Sequence, residues 1–397
     1  MKERLLFVAA GPAQAPAIRE ARALGYYVVA MDGDASAPGL MEADEHIVAD
    51  ILDAKTIVKA AKETGTQGIL SVCCDVAMEA VAQACEELHL PGIPANVVSV
   101  SRSKFLQRHA LKKAGLLVPS FERVTTKTAA IAAWDRFQSS AYVIKPEDSS
   151  GSRGVSFVDA RNHVANAFEL ALENSKSGHV LVESFMPGIE YSVEAWAIGS
   201  EVHILASSEK ARTPPPYLLD RQVHFPDLLS AADRQILVQH AIRAIKACGF
   251  RDCPVHLECI WGPEGPMVVE LAARGAGSKV FTEILPSVTG ISTTRASIEA
   301  ALGQNPELTL QHAGMAASLI FLDPVPGVFQ SAGGVEAALA LPYVSEVIIY
   351  PQVGQRLREL RSGPDRAGHL LVYAPDADTC RSTAQTALSL IQLQVTP

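Results

Sequence analysis

The feature that most constrains this fold is an alternation of strand and helix through the first hundred or so residues. Leu5–Ala9 reads as a strand, and Pro16–Leu24 as a helix ended by Gly25. Tyr27–Met31 is a second strand before the turn Asp32-Gly33-Asp34. His46–Val48, Lys55–Glu63, Gly68–Val72 and Met78–Leu88 continue the pattern. Strands separated by helices of about ten residues force right-handed crossovers and a parallel sheet. The fold class is therefore α/β, opening with a Rossmann-like domain over residues 1–100. Its first turn, Gly11-Pro12-Ala13-Gln14-Ala15, lacks the G-x-G-x-x-G spacing, so a dinucleotide cofactor is not expected.

A helix at Ser103–Lys113, capped by Ser101 or Ser103, starts a second unit over 101–305. From 118 to about 210 the pattern is helices mixed with short paired strands. Asp233–Cys248 is a strong amphipathic helix. The remainder, 306–397, reads as a small α+β cap with strands at Met315–Leu322, Glu346–Tyr350 and His369–Tyr373 and a final helix at Ala377–Leu390. The chain has 397 residues, 48% of them hydrophobic, which is ample for two or three cores. A net charge of −9 argues against nucleic acid or an anionic membrane as partner. No apolar run is long enough to span a bilayer. Seven cysteines, an odd number with no C-x-x-C pair, support neither a zinc site nor a disulfide framework, and a reducing cytoplasm is the expected compartment.

Two strands near 260 carry the sharpest chemical signal. Val255–Ile260 and Met267–Leu271 flank a turn-rich Trp261–Pro266. If the hairpin is centred on Glu264, Glu258 and Glu270 stand opposite each other on one face. Two carboxylates across a ladder repel, and a divalent cation removes the conflict. In another register one of them faces solvent. Arg274, four residues on, suits a developing acyl-phosphate oxyanion, although a surface ion pair is the commoner role for such a residue. Asp75 reads as a helix cap, and His256 as either a support for Glu258 or a core histidine.

Farther upstream, Tyr142-Val143-Ile144-Lys145-Pro146 is an apolar strand that ends in a lysine. The loop Asp148–Gly154 follows, with Ser150, Gly151, Ser152 and Gly154, and then a second strand, Val155–Val158. Backbone N–H groups in such a loop can cradle phosphate, with Lys145 as a point charge. A plain turn has the same composition. His179–Glu183 is a further strand, broken by Ser184-Phe185-Met186-Pro187-Gly188, whose backbone could read an adenine edge. Glu190 could accept from ribose hydroxyls.

The order and spacing of these pieces resemble the ATP-grasp superfamily over most of the chain. The stretches Met31–Asp34, Ala37–Gly39 and Asp50–Asp53 are similar to the N-terminal domain of its purine-biosynthetic and carbamoyl-phosphate branches. The resemblance implies nucleotide contacts from Lys104, Lys145, the Asp148–Gly154 loop, Glu183 and Glu190. It implies metal ligation by Glu258 and Glu270, and a flap over about 118–190. The stretch Glu209–Tyr217, with His224-Phe225-Pro226 and Glu270–Gly275, resembles the L-amino-acid ligases that make dipeptides. On that basis Lys210 approaches the terminal phosphate, and His224, Arg274, Gly275 and Gly277 lie near the substrate. Ala272 stands where many relatives carry Asn, so no third protein ligand is expected.

The implied activity is an ATP- and Mg²⁺-dependent ligation of a small-molecule carboxylate, an amino acid or another small carboxylic acid, to a small-molecule amine, with Mn²⁺ as a substitute metal. Arg274 and Lys210 are the implied catalytic residues, and a homodimer is common among the look-alikes. Two alternatives stand beside it: carboxylate or formyl transfer to a purine-precursor ribonucleotide, and a nucleotide-binding module without turnover.

Overall fold

Leu5, Leu6, Phe7 and Val8 are all fully buried, so both faces of their strand are covered, as an unbroken apolar run in a parallel sheet requires. The computed structural model describes residues 2–310 and 314–397. In it, Arg4–Val8 lies inside a four-stranded sheet ordered Glu45–Val48, Tyr27–Asp32, Arg4–Val8, Gly68–Leu70, with every pair parallel. Helices Ala15–Ala23 and Ala54–Thr64 make the crossovers, and Met78–Glu87 follows the last strand. Asp53 caps the second helix by accepting from the Lys55 N–H, and Gly65 closes it at φ +65°.

The large sheet has eight strands, all antiparallel, ordered Gly265–Ala272, Cys253–Gly262, Ile189–Ile198, Glu201–Arg212, Asp220–Phe225, Ala316–Leu322, Gly368–Ala374, Val344–Ile349. The short paired strands expected from 118 onward are found as far as Ser184; beyond it the chain forms one long hairpin, Ile189–Ile198 with Glu201–Arg212. Glu190 through Ala197 is buried on both faces, as an interior strand of this sheet requires. Three strands beyond residue 306 continue this same sheet, and helix Ala377–Leu390 packs on them. Leu5, Phe7 and Ile18 share one core with Trp196, Phe225, Phe281 and Leu319, so the parallel sheet and the large sheet bury each other.

A separate four-stranded antiparallel sheet, ordered Phe121–Val124, Val180–Ser184, Tyr142–Pro146, Ser156–Val158, forms the flap. Helices Lys127–Phe137 and Val164–Glu173 give it its own core around Tyr142, Phe168 and Val180. No helix among the described residues is long and apolar enough to cross a membrane.

Candidate active site

Helix Lys104–Lys113 organises the site. Ser103 caps it, accepting from the Leu106 N–H at 3.1 Å, while Ser101 accepts from the Ala273 N–H at 2.8 Å. Lys104 is therefore the first helical residue, and Gln107 and Arg108 lie one turn further on the same side. The Lys104 ammonium reaches Glu270 at 2.7 Å and the Ser149 carbonyl of the flap loop at 2.7 Å. Gln107 donates to the Leu271 carbonyl (2.8 Å) and accepts from the Leu271 N–H (3.0 Å). Leu271 belongs to the edge strand, so this buried amide stands in for a missing neighbour.

Glu258 and Glu270 are cross-strand partners, as the hairpin reading expects, but by a different route. The tip closes as Gly262↔Gly265, a register that would set Glu258 against Val269. A bulge between Glu258 and Cys259 on the ladder absorbs one residue, Val269, and brings Glu270 opposite Glu258. Val269 and Glu270 consequently line the same cavity. The bulged residue's carbonyl accepts from the Arg108 guanidinium at 2.8 Å.

Each carboxylate of the pair meets a cation. Lys210, buried, contacts Glu258, Asp220 (3.0 Å) and Glu190 (3.4 Å). Burial opposes its charge, but these three carboxylates hold its pKa well above the usual lysine range. His256 donates to Glu194 at 2.7 Å and to Glu258 at 3.3 Å. Burial pulls its pKa down, yet Glu194 and Glu258 outweigh that and push it up to about 9. It is a support for Glu258. Burial also weighs against charge on Glu258, but Lys210 and His256 keep it well below the usual carboxylate range. Burial, with Glu258 and Asp220 nearby, pushes Glu190 up to about 7, although Arg212 lies 2.7 Å away.

Glu183 is buried and doubly paired, to Arg108 at 2.8 and 3.1 Å and to Lys145 at 2.8 Å. Its carboxylate is committed to holding those cations. Burial raises its pKa, but Arg108 and then Lys145 bring it to about 2. Ser184 and Phe185 spend their N–H groups on the carbonyls of Ser120 and Ala141 (2.9 Å each). Arg274 forms a two-point ion pair with Asp75 at 2.7 and 3.1 Å. Asp75 is thus not the cap of the following helix, which has no side-chain cap.

Two cavities meet at the carboxylate pair. One, of ≈ 100 Å³, is lined by Lys104, Lys145, Ser150, Gly151, Ser152, Glu183, Ser184, Phe185, Met186 and Glu190. The other, of ≈ 210 Å³, is lined by Lys210, Arg274, Gly277, Val223, Phe225 and Phe321. Glu258, Glu270, Gly151 and Ser152 line both.

Three expected residues lie elsewhere. His224 alternates with Val223 and Phe225 and so faces away from the cavity. It bonds Ser318 (2.8 Å) and Gln222 (3.0 Å), and burial, then Arg381, pulls its pKa down to about 4. Gly275 packs under Phe281, whose ring a Cβ would meet at 2.1 Å. Gly154, at φ +75°, packs against Asn174 and Pro146 behind the flap loop. Sequence reasoning missed Gln107, Arg108, Glu194, Arg212 and Asp220. Polar residues one helical turn from Lys104 are a usable signal for the first two; Asp220 carries none.

Residues 138–283 match the ATP-grasp domain family, 18–92 the ATP-grasp N-terminal domain, and 319–396 the L-amino acid ligase C-terminal domain 2. The chain belongs to the ATP-grasp superfamily. A curated relative, uncharacterized protein y4rH of Sinorhizobium fredii, is 27% identical over 323 residues, covering 80% of this chain and 66% of that protein. Alanine–anticapsin ligase of Bacillus subtilis is 25% identical over 252 residues, covering 57% of this chain and 52% of its own length. The ATP-grasp chain thus spans less than two thirds of either relative. The solved L-amino acid ligase of Bacillus licheniformis shares the fold at a TM-score of 0.85 and 21% identity, covering 100% of this chain and 99% of that one.

Proposed function

We propose that this ATP-grasp chain is a ligase that joins an amino acid or other small carboxylic acid to an amine through an acyl phosphate, releasing ADP and phosphate. The observation that carries the reading is the carboxylate pair on the shared wall of two cavities. One cavity has the lysines and glycine-rich loop suited to a nucleotide. The other has apolar walls and an arginine suited to a small acid. The match to an L-amino acid ligase C-terminal domain supports amino acids as substrates.

The donor set fits a hard divalent cation, Mg²⁺ or Mn²⁺. Glu258 and Glu270 are cross-strand partners that line the same cavities, and His256 bonds the first. Among the described residues no group of three or more His, Cys, Asp or Glu is arranged to hold a metal, so phosphate and water would complete the shell. When bound, the ion supplies charge neutralisation to phosphate oxygens. Lys104, Lys145 and Lys210 then hold the phosphates, and loop amides at Ser150–Ser152 cover them. The linker from Ser184 to Met186 sits at the adenine end, with Glu190 by the ribose.

A substrate carboxylate oxygen attacks the γ-phosphorus and the bond to ADP breaks. The amine nitrogen then adds at the acyl carbon, and phosphate leaves. Arg274 faces the charge that develops on the oxygens. No side-chain nucleophile is required, so placement and exclusion of water account for the rate.

A phosphate-release screen of amino acids, singly and in pairs, tests this. We expect a signal that needs two amino acids and Mg²⁺. Glu258→Gln and Glu270→Gln should each lower it at least about 100-fold with unchanged circular dichroism. Release stimulated by aminoimidazole ribonucleotide instead would favour a carboxylase. ATP binding without turnover would reduce the chain to a nucleotide-binding module.

A further inference from the structure

The second cavity contains one cation that no carboxylate answers. Lys210 has three carboxylates, Arg274 has Asp75, and His256 has Glu194 and Glu258. Arg366 has none within ion-pair distance among the described residues. Among the described residues its guanidinium makes one hydrogen bond, from a terminal nitrogen to the backbone carbonyl of Asp220 at 2.7 Å. Its Nε is buried with no partner. Burial pulls its pKa below the usual arginine value, although Asp220 and Asp323 favour its charge from beyond ion-pair distance.

An uncompensated, largely buried guanidinium is costly, and one kept in a cavity is a position where a ligand's anion completes the pairing. Its presentation fits that task. The guanidinium carbon stacks 3.5 Å from the centroid of Phe321, which fixes the plane of the fork. Arg366 follows a short turn, Gly363–Asp365, secured by a reciprocal Ser362–Asp365 cap. A planar, pre-oriented fork matches a carboxylate through two parallel N–H bonds.

We propose that Arg366 binds the free carboxylate of the incoming amine substrate, so that this substrate is an amino acid and not a simple amine. The assignment rests on the ligase reading above. It follows from where Arg366 stands. The carboxylate to be activated belongs beside Glu258, Glu270 and Arg274. Arg366 is set back from that point: it holds the Asp220 backbone, the Asp220 side chain holds Lys210, and Lys210 holds Glu258. An anion on Arg366 therefore lies beyond the reacting centre, where the far end of the nucleophile belongs. Val223, Phe225 and Phe321 line the cavity for its side chain. The product would keep a free C-terminal carboxylate.

The test uses the full chain with Mg-ATP and a fixed acid. First, hydroxylamine traps the acyl phosphate as a hydroxamate, a readout that needs no second amino acid and reports on the ligase reading alone. Then the amine is varied between an amino acid and its carboxamide, which lacks the charge that Arg366 would meet, with kcat/KM expressed per unprotonated amine because the carboxamide's α-amine is the weaker base. Wild type should favour the free amino acid about 10- to 100-fold in kcat/KM. Arg366→Gln should erase that preference by raising KM for the free acid, with the carboxamide much less affected; Arg366→Lys should restore part of it. Hydroxamate formation together with equal use of acid and carboxamide by wild type overturns the Arg366 assignment without any variant. A preference that survives in Arg366→Gln overturns it as well. Absence of hydroxamate with every acid overturns the ligase reading instead.

Discussion

Lys145 answers two opposing demands. In the proposed role it must be charged to hold phosphate, yet burial pulls its pKa down to about 8, against the pull of Glu183. In the free protein it is charged below about pH 8 and loses its proton above. The profile of kcat/KM for ATP, which reports free-enzyme groups, should be flat to about pH 8 and then fall, by up to roughly tenfold per unit. Unfolding would not explain the fall. Between about 8 and the ordinary lysine value of 10.5 the unfolded chain binds more protons at this group, so its contribution to stability rises with pH there. Lys145→Arg, charged throughout, should remove the fall even if its plateau is lower. A flat wild-type profile to pH 9.5, or the same fall in the arginine variant, would sink the idea.

The sequence signals at this scale were strand ends carrying a charge, which is why Lys145 and Glu183 were both legible. Their meeting was not. Lys145 pairs across the ladder with Leu181, so Glu183 is its diagonal neighbour on one face, and that depends on which strands adjoin. His224 failed for a simpler reason: in a period-2 strand its neighbours Val223 and Phe225 took the cavity face.

The helix that carries Lys104 also carries the device that holds the strand of Glu270 in place. Gln107 replaces a neighbouring strand at Leu271, and its amide donors also reach the Val100 and Ser101 carbonyls at 3.1 and 3.0 Å. Gln107→Leu strands a buried N–H and several carbonyls, each at about 1–3 kcal/mol. Because Glu270 precedes Leu271, the loss should appear at the carboxylate pair. We expect a lower thermal midpoint and a Mg²⁺ half-saturation raised roughly tenfold, more than KM for ATP, consistent with the cost of losing a ligand's support. A variant that keeps its midpoint and its Mg²⁺ dependence would show that the edge needs no such clamp. Most elements of this part were readable from periodicity and caps, Ser103 above all. The bulge at Val269 was not. Two registers, one set by the turn and one by the strand bases, differ by a residue, and nothing local says where the surplus is absorbed. The carboxylate pair was nonetheless found, because a loop centred on Glu264 and a tight turn plus a bulge lead to the same opposition.

At the scale of the whole molecule, the parallel sheet meets the candidate site at an ion pair. Asp75 follows the last parallel strand and grips Arg274, which lies 199 residues away in sequence. A residue in that position looks locally like a helix cap, and only the packing of two sheets onto one core gives it another role. Burial works against charge on both groups, but each is held ionised by the other, Asp75 below its ordinary pKa and Arg274 above. If Asp75 acts by aiming the guanidinium, its effect must vanish when the guanidinium is gone. Asp75→Asn should lower kcat/KM roughly 10- to 100-fold, and Arg274→Lys by at least as much, since lysine cannot reproduce a two-point pair. The double variant should be no worse than Arg274→Lys alone, a coupling within the 0.5–3 kcal/mol that contacting residues show. Losses that multiply would mean that Asp75 serves the substrate or the fold independently. Losses that coincide would make the N-terminal sheet part of the acyl-transfer apparatus, and would explain why the two sheets bury a common core instead of sitting apart on a linker.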